Sequence, residues 1–380
     1  MKLDQYRNQI YSCLRCGFCF DHAVGGGEKI CPPYATYGFE SYGARGKMAI
    51  ARALIDGTVE PDADMAARVF ACTECGACQE ECFKYLPLCD IYEAMKEDLA
   101  EAGLAPKERE ALVEPLYREG NPYGKPADRR MAWTEGDGRI GKQADIVFYV
   151  GCTPSYVRRG IARSAYQVLE TSGIDFALLG EEVCCGHPQI AMGRPDLARE
   201  QMEKNVEQIE RSGAKTVVFS CPGCLATFQE DAPRLLGRSL PFEVVHLTEY
   251  LAVSPEFAKL ALRKQSRVVT YHDPCTLGRG LGVFDAPREL VTSVSGVRLV
   301  EMPRTRERSY CCGNGAFVRY DHEAMSVETE RSRLAEAVST GADAVISACP
   351  ACQIGLLDGT RREKAALEVL DVLEWIAQSL

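Results

Sequence analysis

Cysteine dominates this sequence: the chain has 19 among 380 residues, an odd number that cannot pair fully as disulfides within one chain. Disulfide-stapled scaffolds are also usually far shorter. The first residues, MKLDQYRNQIYSCL, lack the apolar core of a secretory signal. No stretch approaches the roughly 20 apolar residues that span a bilayer. A cytoplasmic protein with no membrane span is therefore expected, in a reducing compartment where clustered cysteines serve as metal ligands or catalytic thiols. With 44 basic against 54 acidic side chains the formal charge is -10, which argues against nucleic acid and anionic lipid as partners.

The cysteines fall into two groups. Nine lie within the first 89 residues, ten lie between Cys152 and Cys352, and Asp90 to Gly151 contains none. That gap begins with a helical pattern, IYEAMKEDLAEAGL, and continues through GNPYGKPADRR, whose prolines read as a loop. Trp133 beyond it is a candidate packing anchor. The second group repeats: SGAKTVVFSCPGC at 212–224 matches TGADAVISACPAC at 340–352, an offset of 128 residues. EEVCCGHP matches RSYCCGNG, and DIVFYVGC matches RVVTYHDPC, in the same order. Apolar β-branched runs (IVFYV, VVFS, VVTY, AVIS) alternate with helical patterns, which predicts βαβ units and parallel sheets related by duplication. The expected fold is α+β: a helical, dicluster ferredoxin-like module over 1–100, a helical linker over 101–142, and two duplicated α/β domains over 143–265 and 266–380.

In the N-terminal group, Cys13, Cys16 and Cys19 form C-x2-C-x2-C, with Cys31-Pro32 after a longer gap. Cys72, Cys75, Cys78 and Cys82 form C-x2-C-x2-C-x3-C. This is the pattern of bacterial two-cluster ferredoxins, in which three closely spaced thiolates wrap three irons of a cube and the fourth ligand comes from the other run. The pattern assigns Cys13, Cys16, Cys19 and Cys82 to one cubane [4Fe-4S] cluster, and Cys72, Cys75, Cys78 and Cys31 to a second. Phe83 follows Cys82 where proline is usual, and Gly25, Gly26 and Gly27 lengthen the gap before Cys31 without forming a phosphate cradle. Zinc, which also takes cysteine tetrads, is the competing metal. Cys89 is left over and reads as a buried packing cysteine.

Each C-terminal repeat supplies five cysteines: Cys152, Cys184, Cys185, Cys221 and Cys224, then Cys275, Cys311, Cys312, Cys349 and Cys352. Five exceed the need of one tetrahedral zinc. The CPxC turns follow predicted strands, and so fall at the carboxyl ends where doubly wound sheets bind ligands. Pro222 and Pro350 fix the turns, and Gly186 and Gly313 permit close backbone approach beside the vicinal pairs. A redox disulfide at each vicinal pair is the alternative.

Cys-x31-Cys-Cys-Gly-x34-Cys-Pro-x-Cys and its near copy resemble the cysteine-rich CCG domains of heterodisulfide reductases. The whole layout resembles the D-subunit type, equivalent to fused C and B subunits. The resemblance implies a noncubane [4Fe-4S] cluster in each five-cysteine set, and hence two cubane and two noncubane clusters in all. It also implies an iron-sulfur subunit of a larger oxidoreductase complex, passing electrons to a disulfide or protein acceptor. Similar chains serve flavin-linked glycolate, lactate and glycerol phosphate dehydrogenases and benzoyl-CoA reductase assemblies. Thr276 stands where the dehydrogenase subunits often carry histidine.

His187, after the first CCG, and His272, before Asp273-Pro274-Cys275, are candidate proton donors or cluster-tuning residues. Caps or backbone partners are the plainer role for both. Arg158, Arg159 and Arg279 either face an anionic substrate or are solvated. GNGAFV and GRGLG lack the spacing of a dinucleotide fingerprint, so no flavin or NAD site is expected in this chain. A flavoprotein partner, resembling heterodisulfide reductase A or an FAD-linked oxidase, is expected to carry that chemistry.

Overall fold

The computed structural model describes residues 1–22, 28–134, 136 and 138–380; Gly25, Gly26 and Gly27 lie outside the described residues. The N-terminal module is helical apart from a two-residue pair, β1 (Asp21–His22) and β2 (Glu28–Lys29). Its longest helices are amphipathic by sequence. Ala44–Ile55 buries Ala44, Lys47, Met48, Ala51 and Leu54, and Leu88–Glu101 buries Leu88, Ile91, Tyr92, Met95 and Leu99. These spacings of three and four put the apolar residues on one face. Ala63–Phe70 starts at Asp62, whose carboxylate accepts from Met65 N at 2.7 Å, a cap of about 1 kcal/mol.

Residues 101–142 are helical only in short pieces, Lys107–Glu110, Val113–Glu119 and the turn Ala127–Arg129. They dock on the rest of the chain. The fully buried Arg109 pairs with Asp321 at 2.8 and 3.0 Å and donates to Phe70 O at 2.7 Å, tying the N-terminal module to the second repeat. Trp133 is buried in the core shared by both repeats.

The repeats are α/β with parallel sheets. β3 (Ile146–Tyr149), β4 (Thr216–Phe219) and β5 (Glu243–His246) form one sheet in that order. β6 (Val268–His272), β7 (Arg298–Leu299), β8 (Ala344–Ser347) and β9 (Glu368–Asp371) form the other, ordered β7-β6-β8-β9. The central strands are β-branched and buried, as parallel sheets covered on both faces require. The duplication persists in detail: β4 pairs Phe219 with His246 and β8 pairs Ser347 with Asp371, and His246 and Asp371 each close a capping box on the next helix. Helix Arg159–Thr171 of the first repeat packs on Val372–Ala377 of the second, and Asp285–Ser293 of the second packs on Leu247–Val253 of the first. One apolar core therefore runs through both sheets, joining Phe148 and Val218 to Tyr271, Ile346 and Trp375. Among the described residues no helix is long and apolar enough to cross a membrane.

Candidate metal centres

All 19 cysteines are unpaired in this structure, both vicinal pairs included. Cys13, Cys16 and Cys19 lie on one loop after helix Arg7–Tyr11, with Cys16 exposed. Burial first, then the neighbouring Cys13 and Cys16, pushes the Cys19 thiol up to about 12. Cys82, just past Ala77–Glu80, packs on the same apolar core as Cys13 and Cys19.

Cys31, Cys72, Cys75 and Cys78 line one cavity with Lys47 and Tyr92. Cys31 caps the helix Pro32–Tyr37. Burial raises its thiol to about 11, against the pull of the Lys47 charge, which also acts on Cys72. Cys89 lies on the wall of this same cavity, near Cys72, Cys75 and Cys78. Cys89 sits in the first turn of Leu88–Glu101, where the helix end meets the cysteine loop.

In the first repeat the five thiols form a connected set. Cys152 contacts Cys184, Cys184 contacts Cys185, Cys185 contacts Cys224, and Cys224 contacts Cys221. Thiol donation from Cys184 and Cys224 holds Cys185 below its ordinary value. Gly186 makes this possible. Its φ of +98° favours glycine, and a Cβ there would meet Ala198 Cβ at 3.0 Å. Arg130, buried and donating to Glu182 at 2.6 and 3.1 Å, places both terminal nitrogens 3.6 Å from Cys152 Sγ. Glu182 also accepts from Val150 N and Gly151 N at 2.9 Å. Neither residue carries a local sequence signal.

The second repeat repeats the set with a difference. Cys311, Cys312, Cys352 and Cys349 are in contact, and Cys275 faces Cys312 and Cys349. Donation by Cys311 and Cys352 holds Cys312 below the ordinary thiol value. The outer contact of Cys311 goes to Cys75 of the N-terminal module. Gly313 has φ +83°, and a Cβ there would strike Ser326 O at 2.5 Å.

Arg279 stands between these sets and is not solvated. Leu281 N bonds Thr276 O at 3.0 Å, an i to i+5 turn that widens the helix after Cys275. Arg279 then donates to Cys75 O at 2.7 Å, Ser309 O at 2.6 Å and Glu307 O at 2.9 Å, while Nη2 is buried without a partner. Its charge acts on the thiols of Cys75, Cys275, Cys311 and Cys78.

His187 half-buries its ring against Gly223 of the first CPxC turn. Its counterpart Asn314 donates to Ala351 O of the second turn at 2.9 Å. His272 is buried, with a ring nitrogen, Cys312 Sγ and Cys352 Sγ all within 4.8 Å of one another. Arg158 meets neither cysteine set: it donates to Gln353 at 2.7 Å, and Arg159 to Ser155 O at 3.3 Å.

The donor chemistry fits iron-sulfur clusters. Sets of five thiols in each repeat, four of each five buried, exceed a tetrahedral zinc site, and the unpartnered N–H groups of His272 and Arg279 lie beside the second set.

Residues 9–86 match the 4Fe-4S dicluster domain family, and 146–229 and 269–356 match the cysteine-rich CCG domain family. The chain is 37% identical to the D-subunit of the dihydromethanophenazine:CoB–CoM heterodisulfide reductase of Methanosarcina barkeri, over 98% of this chain and 94% of that one. It is 29% identical to the B-subunit of the fumarate reductase (CoM/CoB) of Methanothermobacter marburgensis, over 80% of this chain and 60% of the relative. A hypothetical protein of Helicobacter pylori shares the fold, with TM-score 0.58 and 12% identity over 89% of this chain and 67% of that one. The match along nearly the full length, with both cysteine-rich domains and the dicluster domain in place, makes this an iron-sulfur oxidoreductase subunit that belongs to the heterodisulfide reductase D-subunit family.

Proposed function

We propose that this chain relays electrons between a flavoprotein subunit and a disulfide or protein acceptor through two cubane and two noncubane [4Fe-4S] clusters. Cys13, Cys16, Cys19 and Cys82 hold the first cubane, and Cys72, Cys75, Cys78 and Cys31 the second. The five cysteines of each repeat hold one noncubane cluster. When bound, these clusters supply one-electron transfer, which splits the two-electron chemistry of a flavin into single steps. The chain's own residues exclude water, fix the thiolates and set the local charge. Lys47, Arg130 and Arg279 offset negative charge at the second cubane, the first CCG set and the junction between modules.

The observation that carries this reading is the contact of Cys75 with Cys311, which brings the N-terminal ligands against the second CCG set. The domains are proposed to divide at about 1–100, 101–142, 143–265 and 266–380. The test is stopped-flow reduction of the anaerobically loaded chain. NAD(P)H alone should reduce it negligibly, and a flavin-bearing partner should reduce it fast. Cys312→Ser should stop transfer past the second CCG set while the N-terminal clusters stay reducible. Full-rate oxidation of NAD(P)H by the isolated chain contradicts the relay. Reduction by a phenazine-type carrier with no flavoprotein present contradicts the partner.

A further inference from the structure

The two CCG sites are built on the same backbone, and one of their differences is a buried side chain just before the first cysteine of each set. Counted from Cys152 and Cys275, Tyr149 and His272 occupy the same position, each three residues before the cysteine. The sheets agree, since β3 pairs Tyr149 with Phe219 and β6 pairs His272 with Ser347, and Phe219 and Ser347 each precede a CPxC cysteine by two residues. Both side chains stand beside equivalent thiols, Tyr149 by Cys185 and Cys224 and His272 by Cys312 and Cys352.

Their polar atoms are used differently. The Tyr149 hydroxyl donates to Val183 O at 2.6 Å and accepts from Asn205 at 3.3 Å, so its proton is committed away from sulfur. His272 receives a hydrogen bond on Nδ1 from Arg333 Nε at 2.9 Å. A guanidinium has no acceptor, so Nδ1 carries no proton and the proton of the neutral ring sits on Nε2. Arg333 is itself fixed, being fully buried and held by Arg304 O at 2.8 Å, Glu336 at 2.6 Å and Ser309 at 3.1 Å. Nε2 is buried and has no partner in the protein. A protonated Nε2 has no lone pair for iron, so the Arg333 contact makes His272 a donor and not a ligand.

We propose that His272 directs its unpartnered Nε2 hydrogen at the sulfur of the cluster that Cys312 and Cys352 would hold, and that this donor raises the reduction potential of the second CCG site. The proposal rests on the reading of the five-cysteine sets as cluster ligands. An N–H directed at sulfur lowers its charge and favours the reduced state. His272 acts here as a positioning and tuning residue, held in one tautomer by Arg333.

The test uses the full chain with clusters loaded anaerobically, titrated under potential control and followed by electron paramagnetic resonance. His272→Phe should weaken reduction of one noncubane cluster about tenfold or more, 59 mV for a one-electron couple, with the other three clusters unmoved and iron content retained. His272→Gln, which keeps an N–H, should recover part of the shift, and Tyr149→Phe should leave the first CCG potential in place. In wild-type protein carrying isotope-labelled histidine, hyperfine spectroscopy should show a histidine nitrogen coupled through a hydrogen bond to the second CCG cluster, a signal that the Gly313 N–H on Cys311 Sγ at 3.3 Å cannot give. That measurement decides the matter even if His272→Phe fails to hold its cluster. A nitrogen bound directly to iron overturns the proposal, as does an unchanged potential in His272→Phe at full iron content. Absence of iron from the second CCG set in wild-type protein is instead the failure of the ligand reading beneath it.

Discussion

The thiols of Cys75 and Cys311 meet across the boundary between the N-terminal module and the second repeat. The equivalent cysteine of the first repeat, Cys184, turns instead to Cys152 within its own set. A duplicated motif is thereby used asymmetrically: the second CCG set adjoins the N-terminal ligands, and the first closes on itself with Arg130 as its outer partner. Four consequences can be measured.

Arg279 holds the Cys75/Cys311 junction through three carbonyls. Arg279→Leu leaves those carbonyls unpaired and removes the positive charge between the sets. Hydrogen bonds to charged groups contribute about 1.5–3 kcal/mol each, so a stability loss on the order of 3 kcal/mol is expected. Electron transfer from the N-terminal clusters to the second CCG cluster should slow, as rapid-mixing spectroscopy would show. Unchanged transfer with unchanged melting would remove Arg279 from the junction.

Arg130 is buried against Glu182 and Cys152. Arg130→Met leaves a buried carboxylate without its cation, a change that costs about 3–5 kcal/mol. The first CCG cluster should be lost or weakened, while the second, which has no contact with Arg130, keeps its spectrum. Differential melting with iron analysis checks both, and equal loss at the two CCG sites would point to global unfolding instead.

Cys31, Cys72, Cys75, Cys78 and Cys89 line one cavity, one cysteine more than a cubane takes. Cys31→Ser is expected to perturb the cluster held by Cys72, Cys75 and Cys78, and Cys82→Ser the cluster held by Cys13, Cys16 and Cys19. Cys89→Ser should leave both intact. The reverse outcome at Cys31 and Cys89, read by low-temperature resonance spectra, would make Cys89 the fourth ligand.

Asp371 is buried, its Oδ1 accepts from Leu373 N at 2.9 Å, and its Oδ2 has no partner. Burial first, then Glu374, holds its carboxyl well above the ordinary value of 3.8. The folded state therefore keeps a proton that the unfolded chain releases above about pH 4, and stability falls as pH rises, by up to about 1.4 kcal/mol per unit. Asn caps a helix as well as Asp does. Asp371→Asn should match wild type near pH 4 and melt higher at pH 7; a variant that melts lower at pH 7 contradicts the neutral carboxyl.

The cysteine sets were legible because ligand spacing is local. Three thiols two residues apart, and CPxC after a β-branched run, announce themselves without tertiary information. The parallel sheets followed from VVFS, VVTY and AVIS, which form β4, β6 and β8. Outer strands such as β5 and β9, half charged or polar, gave no such pattern. Arg130 and Arg333 were illegible as site residues, since each reaches its cysteine or histidine from a distant segment, and for Arg279, a candidate in the sequence, the reach to Cys75 O was equally hidden. The Tyr149/His272 equivalence was present in the sequence but hidden, because letter matching pairs Tyr149 with Tyr271, and only the count to the cysteine pairs it with His272.

The proposed relay requires four clusters, one on each set of cysteines. Iron and acid-labile sulfide, measured per chain on anaerobically purified protein, test it most directly. Four clusters of four irons give about 16 iron with a similar sulfide count and little zinc. Stoichiometric zinc without sulfide, or about 8 iron confined to the N-terminal spectra, would contradict it.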